Sequence, residues 1–449
     1  MARAGSGFAL SVGFARAEKG RSWSPVGARR RGLKSFTARM TLRLLAIASI
    51  VVIYHLLDLH FRYREYMRVK YLPTQFDSLS DYDEAVLTST GWKVDSHTTK
   101  TKRSILLDNR RHWKKLGRGR EGETFTFNNT VIKVYNEETS PFRNCIQGTE
   151  APPRRWPTEI PASLIMGGHD DGSTLFDDEQ YREHFVPVKD YFLATTEPLG
   201  APRWHLVSPF LKSGTLKHLA KKLRTSDNRH TYRELDQLFR PSFESLLSAL
   251  DSLHMAHDLC HDDVKLENIF VASENDPRKW KFGDLGNARE PDHPYHYTPL
   301  WIADTPQLRD CRANDALRLT RVYFQFLRAS SGDPDAFDEA LIGGVDTLSR
   351  FYWVVARSPT QASAAQIWQL SAVYASQLVD EKTPWMTMQP AQVDFSRGWA
   401  PTVEAVFGWK GSLRSAVKKE LRVGAKENMG RLFGLTRILG IPVKACQAV

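Results

Sequence analysis

Apolar positions in this chain follow three patterns. From Leu44 to Leu57 they are almost continuous (LLAIASIVVIYHLL). Extended from Leu42 to Leu59, that run spans about 27 Å as a helix against a hydrocarbon core of about 30 Å, which predicts a membrane anchor. His55 and Asp58 stand near its end. From Thr124 to Tyr135 the residues are β-branched and aromatic, interrupted by Asn128-Asn129, and predict a hairpin. Phe185 to Phe192 and Arg203 to Phe210 predict further strands. Phe243, Leu246, Leu247, Leu250 and Leu253 recur at helical spacing, as on a helix that buries one face in a core. Residues 61–111 are polar and irregular and predict a stalk between the anchor and the folded part. No internal repeat is evident.

Composition narrows this picture only slightly. With 449 residues, 41% hydrophobic and 25% charged, the chain suits one globular domain with extensions. The net charge of +11 is concentrated at the ends. Ten Lys and Arg residues precede Leu44 against Glu18 alone, and a second basic stretch runs from Lys410 to Lys444. Such tails favour anionic surfaces, and a solvated tail and helix face explain them equally. Arg29, Arg30, Arg31, Lys34, Arg39 and Arg43 outnumber Arg62, Arg64, Arg68 and Lys70 across the apolar run. That excess favours a cytosolic N-terminus and a lumenal remainder. The sequon Asn128-Asn129-Thr130 is compatible with that side. The opposite topology gives a cytosolic domain tethered to the membrane. The Arg-rich, acid-poor first 39 residues also suit a mitochondrial transit peptide. No small-x-small site follows the run, so an uncleaved anchor is expected, with Met40 as an alternative start. Cys145, Cys260, Cys311 and Cys446 form no C-x-x-C, which argues against a zinc or dithiol site and leaves the compartment open. Cys260 is expected as a buried apolar neighbour of His261.

The chemistry concentrates in His261-Asp262-Asp263-Val264-Lys265-Leu266-Glu267-Asn268 and, downstream, Asp284-Leu285-Gly286. A carboxylate, an ammonium and an amide share one short loop, with a second carboxylate close by. Phosphoryl transfer needs such a set, to orient a hydroxyl, hold metal ions and neutralise phosphate charge. Upstream, Gly117, Gly119 and Gly122 form G-x-G-x-x-G. A dinucleotide-binding fold would follow that motif with a helix; here a hairpin follows. Lys133 lies in the apolar strand Thr130-Val131-Ile132-Lys133-Val134-Tyr135, where a lysine needs a partner.

Together these segments resemble the eukaryotic protein-kinase family, whose loop reads H-R-D-L-K-x-x-N and whose metal motif reads D-F-G. The resemblance covers roughly residues 113–325. It implies an α+β, two-lobed protein-kinase-like fold, with a small β-rich N-lobe and a larger helical C-lobe, preceded here by the transmembrane helix. The implied organisation is a basic tail (1–41), an anchor (42–60), a stalk (61–112), a kinase-like domain (113–400) and a basic C-terminal extension (401–449). By resemblance Asp263 is the catalytic base and Lys265 contacts the γ-phosphate. Asn268 and Asp284 are the Mg²⁺ ligands, both offering hard oxygens. Gly117, Gly119 and Gly122 cover the phosphates of ATP, and Lys133 grips the α- and β-phosphates with Glu159 as its helix partner. Pro157 and Pro161 flank Glu159 and predict a short or displaced helix. Leu206 to Leu216 resembles the segment joining the lobes. Pro209, Phe210 and Leu211 then offer backbone contacts to adenine, and Ser208 controls access behind it. Asp315 resembles the aspartate that opens the central C-lobe helix.

Three departures qualify the resemblance. Asp262 replaces the family Arg, which removes the usual clamp on an activation-loop phosphate and implies activity independent of that phosphorylation. Leu285 replaces Phe, a mild exchange of apolar groups. Thr298 to Asp304 only faintly resembles the T-P-x-Y-x-A-P-E region. The expected function is ATP- and Mg²⁺-dependent phosphorylation of Ser or Thr in a protein substrate. The membrane is the other expected partner, and no nucleic acid is expected. A small-molecule or sugar kinase on the same fold, and a non-catalytic scaffold, are the alternatives.

Overall fold

The computed structural model describes residues 26–70, 97–119, 121–136, 144–146, 154–170, 179–195, 202–226, 229–299, 307–344, 346–358, 362–375 and 411–423, with Leu72, Thr74, Phe76 and Trp301. The chain divides into two compact units, Met1–Phe61 and Arg62–Val449.

Helix α1 (Val26–Lys70) contains the predicted anchor. Its Ala38–Asp58 portion has a mean hydropathy of 2.0 with none of it buried. It is long and apolar enough to cross a membrane. Leu42, Leu45, Ile50 and Tyr54 stand exposed along it, as hydrocarbon but not water would favour.

The second unit mixes an antiparallel sheet with a helical core. Five strands, β1 (Lys114–Arg118), β2 (Gly122–Phe127), β3 (Thr130–Tyr135), β6 (Asp190–Thr195) and β7 (Pro202–Pro209), pair in the order β1-β2-β3-β7-β6. A two-stranded pair, β4 (Asn144–Ile146) and β5 (Arg154–Trp156), precedes β6 in the chain. The β2–β3 hairpin turns at Asn128 and Asn129, with φ of 47° and 57°, the left-handed region that Asn tolerates better than most residues. The strand expected from Phe185 begins instead at Asp190. Pro187 has no N–H for a ladder, and its neighbours make only isolated bridges: Val186 N–H donates to Phe282 O, and Val188 donates to Gly168 O and accepts from Asp170 N–H.

The helical core is built on α4 (Leu216–Thr225), α5 (Tyr232–Ala256) and α6 (Cys311–Ser330). Helix α5 starts at a capping box: Thr231 Oγ1 accepts from Glu234 N–H, and Glu234 Oε2 accepts from Thr231 N–H at 2.8 Å. Phe243, Leu246, Leu247, Leu250 and Leu253 are all fully buried on its inner face. They meet α6 and the later helices α7 (Pro334–Gly343), α8 (Thr347–Ala356) and α9 (Ala364–Ala375) in one cluster. The short pair β8 (Ile269–Val271) and β9 (Trp280–Phe282) follows α5.

Two expected boundaries shift. The stretch read as an irregular stalk contains α2 (His97–Asp108). Arg103 of α2 forks onto Asp190 at 2.6 and 2.7 Å, and Leu106 packs against Trp113, Ile132 and Val134. Its apolar positions are too few to form a visible stripe. Beyond residue 400, residues 411–420 are helical, with Leu413, Val417 and Leu421 buried. The core therefore extends past the expected domain end, and part of the second basic stretch is the outer face of a packed helix.

Candidate active site

Lys133 lies in the middle of β3, where the strand carries its side chain toward α3 (Glu159–Gly167). Helix α3 tolerates Pro161 because the residue falls in its first turn. Lys133 Nζ meets three carboxylates: Glu159 Oε2 at 2.5 Å, Asp284 Oδ1 at 3.1 Å and Glu121 Oε2 at 3.1 Å. Tyr135 donates its hydroxyl to the same Glu159 oxygen at 2.5 Å. Burial opposes the Lys133 charge, but Asp284, Glu159 and Glu121 outweigh it and hold the ammonium well above the ordinary lysine range. The acids share one cation unequally. Burial, with Asp284 and Glu121 nearby, raises Glu159 to about 7 despite Lys133, whereas Lys133 lowers Asp284. Asp284 itself sits at φ 59°, ψ 58°, a left-handed conformation that costs a non-glycine residue roughly 1–2 kcal/mol and concentrates at functional sites.

The loop after α5 holds the second group of residues. Lys265 Nζ donates to Asp263 Oδ2 at 2.6 Å, and Asn268 Nδ2 donates to Asp263 O at 3.0 Å and Oδ2 at 3.2 Å. Burial opposes the Lys265 charge, and Asp263 and Asp284 overcome that and raise it. The loop backbone is anchored from α6. Asp315 accepts from His261 N–H at 2.6 Å and from Asp262 N–H at 3.1 Å, and Arg318 donates to Asp262 O at 3.1 Å.

Lys133, Glu159, Ser208, Asn268 and Asp284 line one cleft. Its other walls are largely apolar, from Val131, Val186, Val188, Leu206, Phe270 and Phe282. An apolar slot ending in charged groups fits a nucleotide with its base in the slot and its phosphates at Lys133. Asn268 and Asp284 could hold a divalent cation, since Asn268 uses its amide N–H groups on Asp263 and keeps its carbonyl oxygen for a metal.

The remaining expected site residues lie outside the cleft lining. Phe210 N–H donates to Asn129 O at 3.0 Å, which occupies that one amide, and Pro209, Phe210 and Leu211 are not among the residues that line the cleft. The hairpin turn captures the amide first. Gly119 N–H closes onto Gly122 O at 2.9 Å. A Cβ at Gly117 would meet nothing within 4 Å, and one at Gly119 nothing nearer than 4.0 Å, so both leave the open approach that a phosphate cover needs. Gly122 differs: a Cβ there would lie 2.0 Å from Val134 O, so packing of β2 on β3 already requires it.

Four participants were invisible in the motifs. Glu121, inside the glycine-rich turn, reaches Lys133 and lies over Gly286, where an added Cβ would meet its Oε2 at 3.1 Å. Arg289 and His296 both bond Asp262 Oδ2 at 2.9 Å. Cys260, expected as a plain apolar neighbour, is disulfide-bonded to Cys311 at the start of α6. A widely spaced cysteine pair carries no local signal, and only the fold brings the two together. No protein-family model matches the chain, and no curated protein matches it either.

Proposed function

We propose that the chain is a membrane-anchored, ATP- and Mg²⁺-dependent protein kinase of two-lobed fold, transferring the γ-phosphoryl group to Ser or Thr hydroxyls. The observation that carries this is the convergence on Lys133 of three acids from three separate segments: Glu121 from the glycine-rich turn, Glu159 from α3 and Asp284 after β9. A lysine so held, beside an apolar slot and across from Asp263 and Asn268, suits charge neutralisation and positioning of phosphate, which supply nearly all the catalysis of phosphoryl transfer. Asp263, tied to Lys265 and Asn268, would orient the acceptor hydroxyl, and Asn268 and Asp284 would hold a Mg²⁺ ion that would neutralise phosphate charge.

We place the catalytic unit on the lumenal side. The Cys260–Cys311 disulfide favours an oxidising compartment, and Asn128 of the sequon is exposed at a hairpin turn. Loss in Asn128→Gln of a glycosidase-sensitive mobility shift is the expected result for this topology. Equal mobility of both forms with and without glycosidase would remove that support.

The test of the activity is transfer of labelled phosphate from Mg-ATP to peptide libraries, run beside sugars and small-molecule acceptors. Transfer to peptides, with Asp263→Asn slower by about 10³-fold or more, is expected. Transfer confined to small molecules would establish the sugar-kinase alternative. ATP binding without transfer to any acceptor, together with unchanged cell function in Asp263→Asn, would leave a scaffold.

A further inference from the structure

The segment after Asp284 is tied to the catalytic loop by a buried histidine whose protonation state its neighbours dictate. His296 is fully buried. Its Nδ1 lies 3.1 Å from Pro291 O and its Nε2 lies 2.9 Å from Asp262 Oδ2. A carbonyl oxygen and an ionised carboxylate can only accept, so both ring nitrogens must donate, and a ring that donates from both is an imidazolium. The charge environment agrees. Burial opposes a charged ring, but Asp262 outweighs both burial and the repulsion from Arg289, raising His296 above its ordinary value. Asp262 is held well below the usual carboxylate range, because His296 and Arg289 overcome its burial.

Among the described residues, further charged or titratable groups lie around the ring. Arg289 donates to the same Asp262 oxygen from the segment. His293 lies on the same turn, its ring 6.1 Å from that of His296, and bonds toward Leu72 O. Asp315 and Arg318, from α6, act on the Asp262 backbone. Lys70 sits over the Tyr295 ring at 5.5 Å. Trp301 meets His296 edge-on at 4.8 Å and carries no charge.

Asp262 adjoins Asp263 and has φ of 63°, a conformation that persists only while its surroundings hold it. A neutral His296 keeps one donor and turns a lone pair on either Asp262 or Pro291 O, so one end of the tie must open. Building on the phosphoryl-transfer reading of the cleft, we propose that His296, as an imidazolium against Asp262, is a positioning residue for Asp263. Turnover then falls as the ring loses its proton. The sign follows from linkage: a histidine raised by its partner contributes fully below its ordinary value of about 6.5, and that contribution is lost as pH rises through the higher folded-state value.

The experiment uses the full-length protein in detergent, with two readouts from about pH 5.5 to about pH 8.5. Hydrogen exchange, corrected for intrinsic rate, reports the tie without reference to catalysis. Protection of residues 260–264 and 289–297 should fall with rising pH in the wild type and be low at all pH in His296→Gln. Initial rates of ADP release from Mg-ATP should show an alkaline fall in the wild type that His296→Gln lacks. That variant should lose on the order of tenfold in kcat with KM for Mg-ATP changed less than about twofold. Asp262→Asn removes the charge that retains the proton and should move both wild-type transitions to lower pH, which keeps the test available if His296→Gln folds poorly. Protection that ignores pH in the wild type, or an alkaline fall shared by His296→Gln, would overturn the proposal. Absence of Mg-ATP binding would instead defeat the phosphoryl-transfer reading, and the exchange profiles would still judge the His296–Asp262 tie.

Discussion

Breaking the Cys260–Cys311 bridge should weaken the fold by an amount that follows from its span. The two residues are 51 apart in sequence, and the chain-entropy relation for a loop of that size gives about 4 kcal/mol. The surroundings argue against relief of strain offsetting this. Both cysteines are fully buried in a cluster with Tyr295 and Trp301. Cys260 also exchanges two backbone hydrogen bonds with Arg289, at 2.7 and 3.1 Å. Serine would leave unpaired hydroxyls in that cluster, so alanine is the cleaner replacement. Urea unfolding of the oxidised protein, the reduced protein, Cys260→Ala, Cys311→Ala and the double variant should separate the oxidised form from the other four. For a urea slope of about 2–3 kcal/mol per molar, the midpoint should drop by roughly 1–2 M. The two single variants and the double should agree within about 0.5 kcal/mol, because each loses the same bridge and either second alanine adds only a small packing loss. A midpoint that moves less than about 0.3 M on reduction, with thiol alkylation confirming that the bridge was open, would refute the reasoning. So would maleimide labelling of both cysteines in the native, unreduced protein.

Three further outcomes follow from the cleft. Ser208→Phe, opposite Val131 in the β3–β7 pairing and on the cleft wall, should reduce the potency of bulky N6-substituted adenine inhibitors by about tenfold or more while sparing unsubstituted ones; equal potency against both proteins would refute it. Glu121→Gln removes one of three carboxylates around Lys133, and a unit charge at this range amounts to roughly 1–2 kcal/mol after screening. ATP titrated in EDTA should therefore bind about tenfold tighter than to wild type, with a smaller change in Mg²⁺, and unchanged metal-free binding would contradict the charge argument. Glu159 titrates near 7 in the fold, above its ordinary value of about 4.3, so ionising it costs stability, and that loss develops as pH rises between the two values. Wild-type unfolding free energy should decline across that window by at most roughly 4 kcal/mol more than that of Glu159→Gln, and parallel pH profiles would refute the assignment.

What the chain disclosed in advance was local. The hairpin at Asn128-Asn129, the α5 stripe and the spacing of Asp263, Lys265 and Asn268 each depend on neighbours in sequence, where backbone geometry dictates the pattern. What it hid depends on partners brought together only by folding. Helix α2 and residues 411–420 present too few apolar positions for a stripe, and their anchors (Asp190 for Arg103, Asp335 for Arg414) lie 87 and 79 residues away. Gly122 matched a phosphate motif, yet the β3 backbone at Val134 and Tyr135 already requires it. Asp262 is the most instructive case. Taken alone, it announces a lost arginine and therefore a lost phosphate clamp. Its answering cations, Arg289 and His296, stand 27 and 34 residues on, in a stretch with no periodicity to mark them. They invert the polarity of the contact instead of deleting it: the anion belongs to the loop and the cations to the segment. Buried ion pairs from Arg289 and His296 to Asp262 hold that segment against the loop without an added phosphate. Because one of the two cations is an imidazole, the proposed tie predicts a docking that loosens as pH rises.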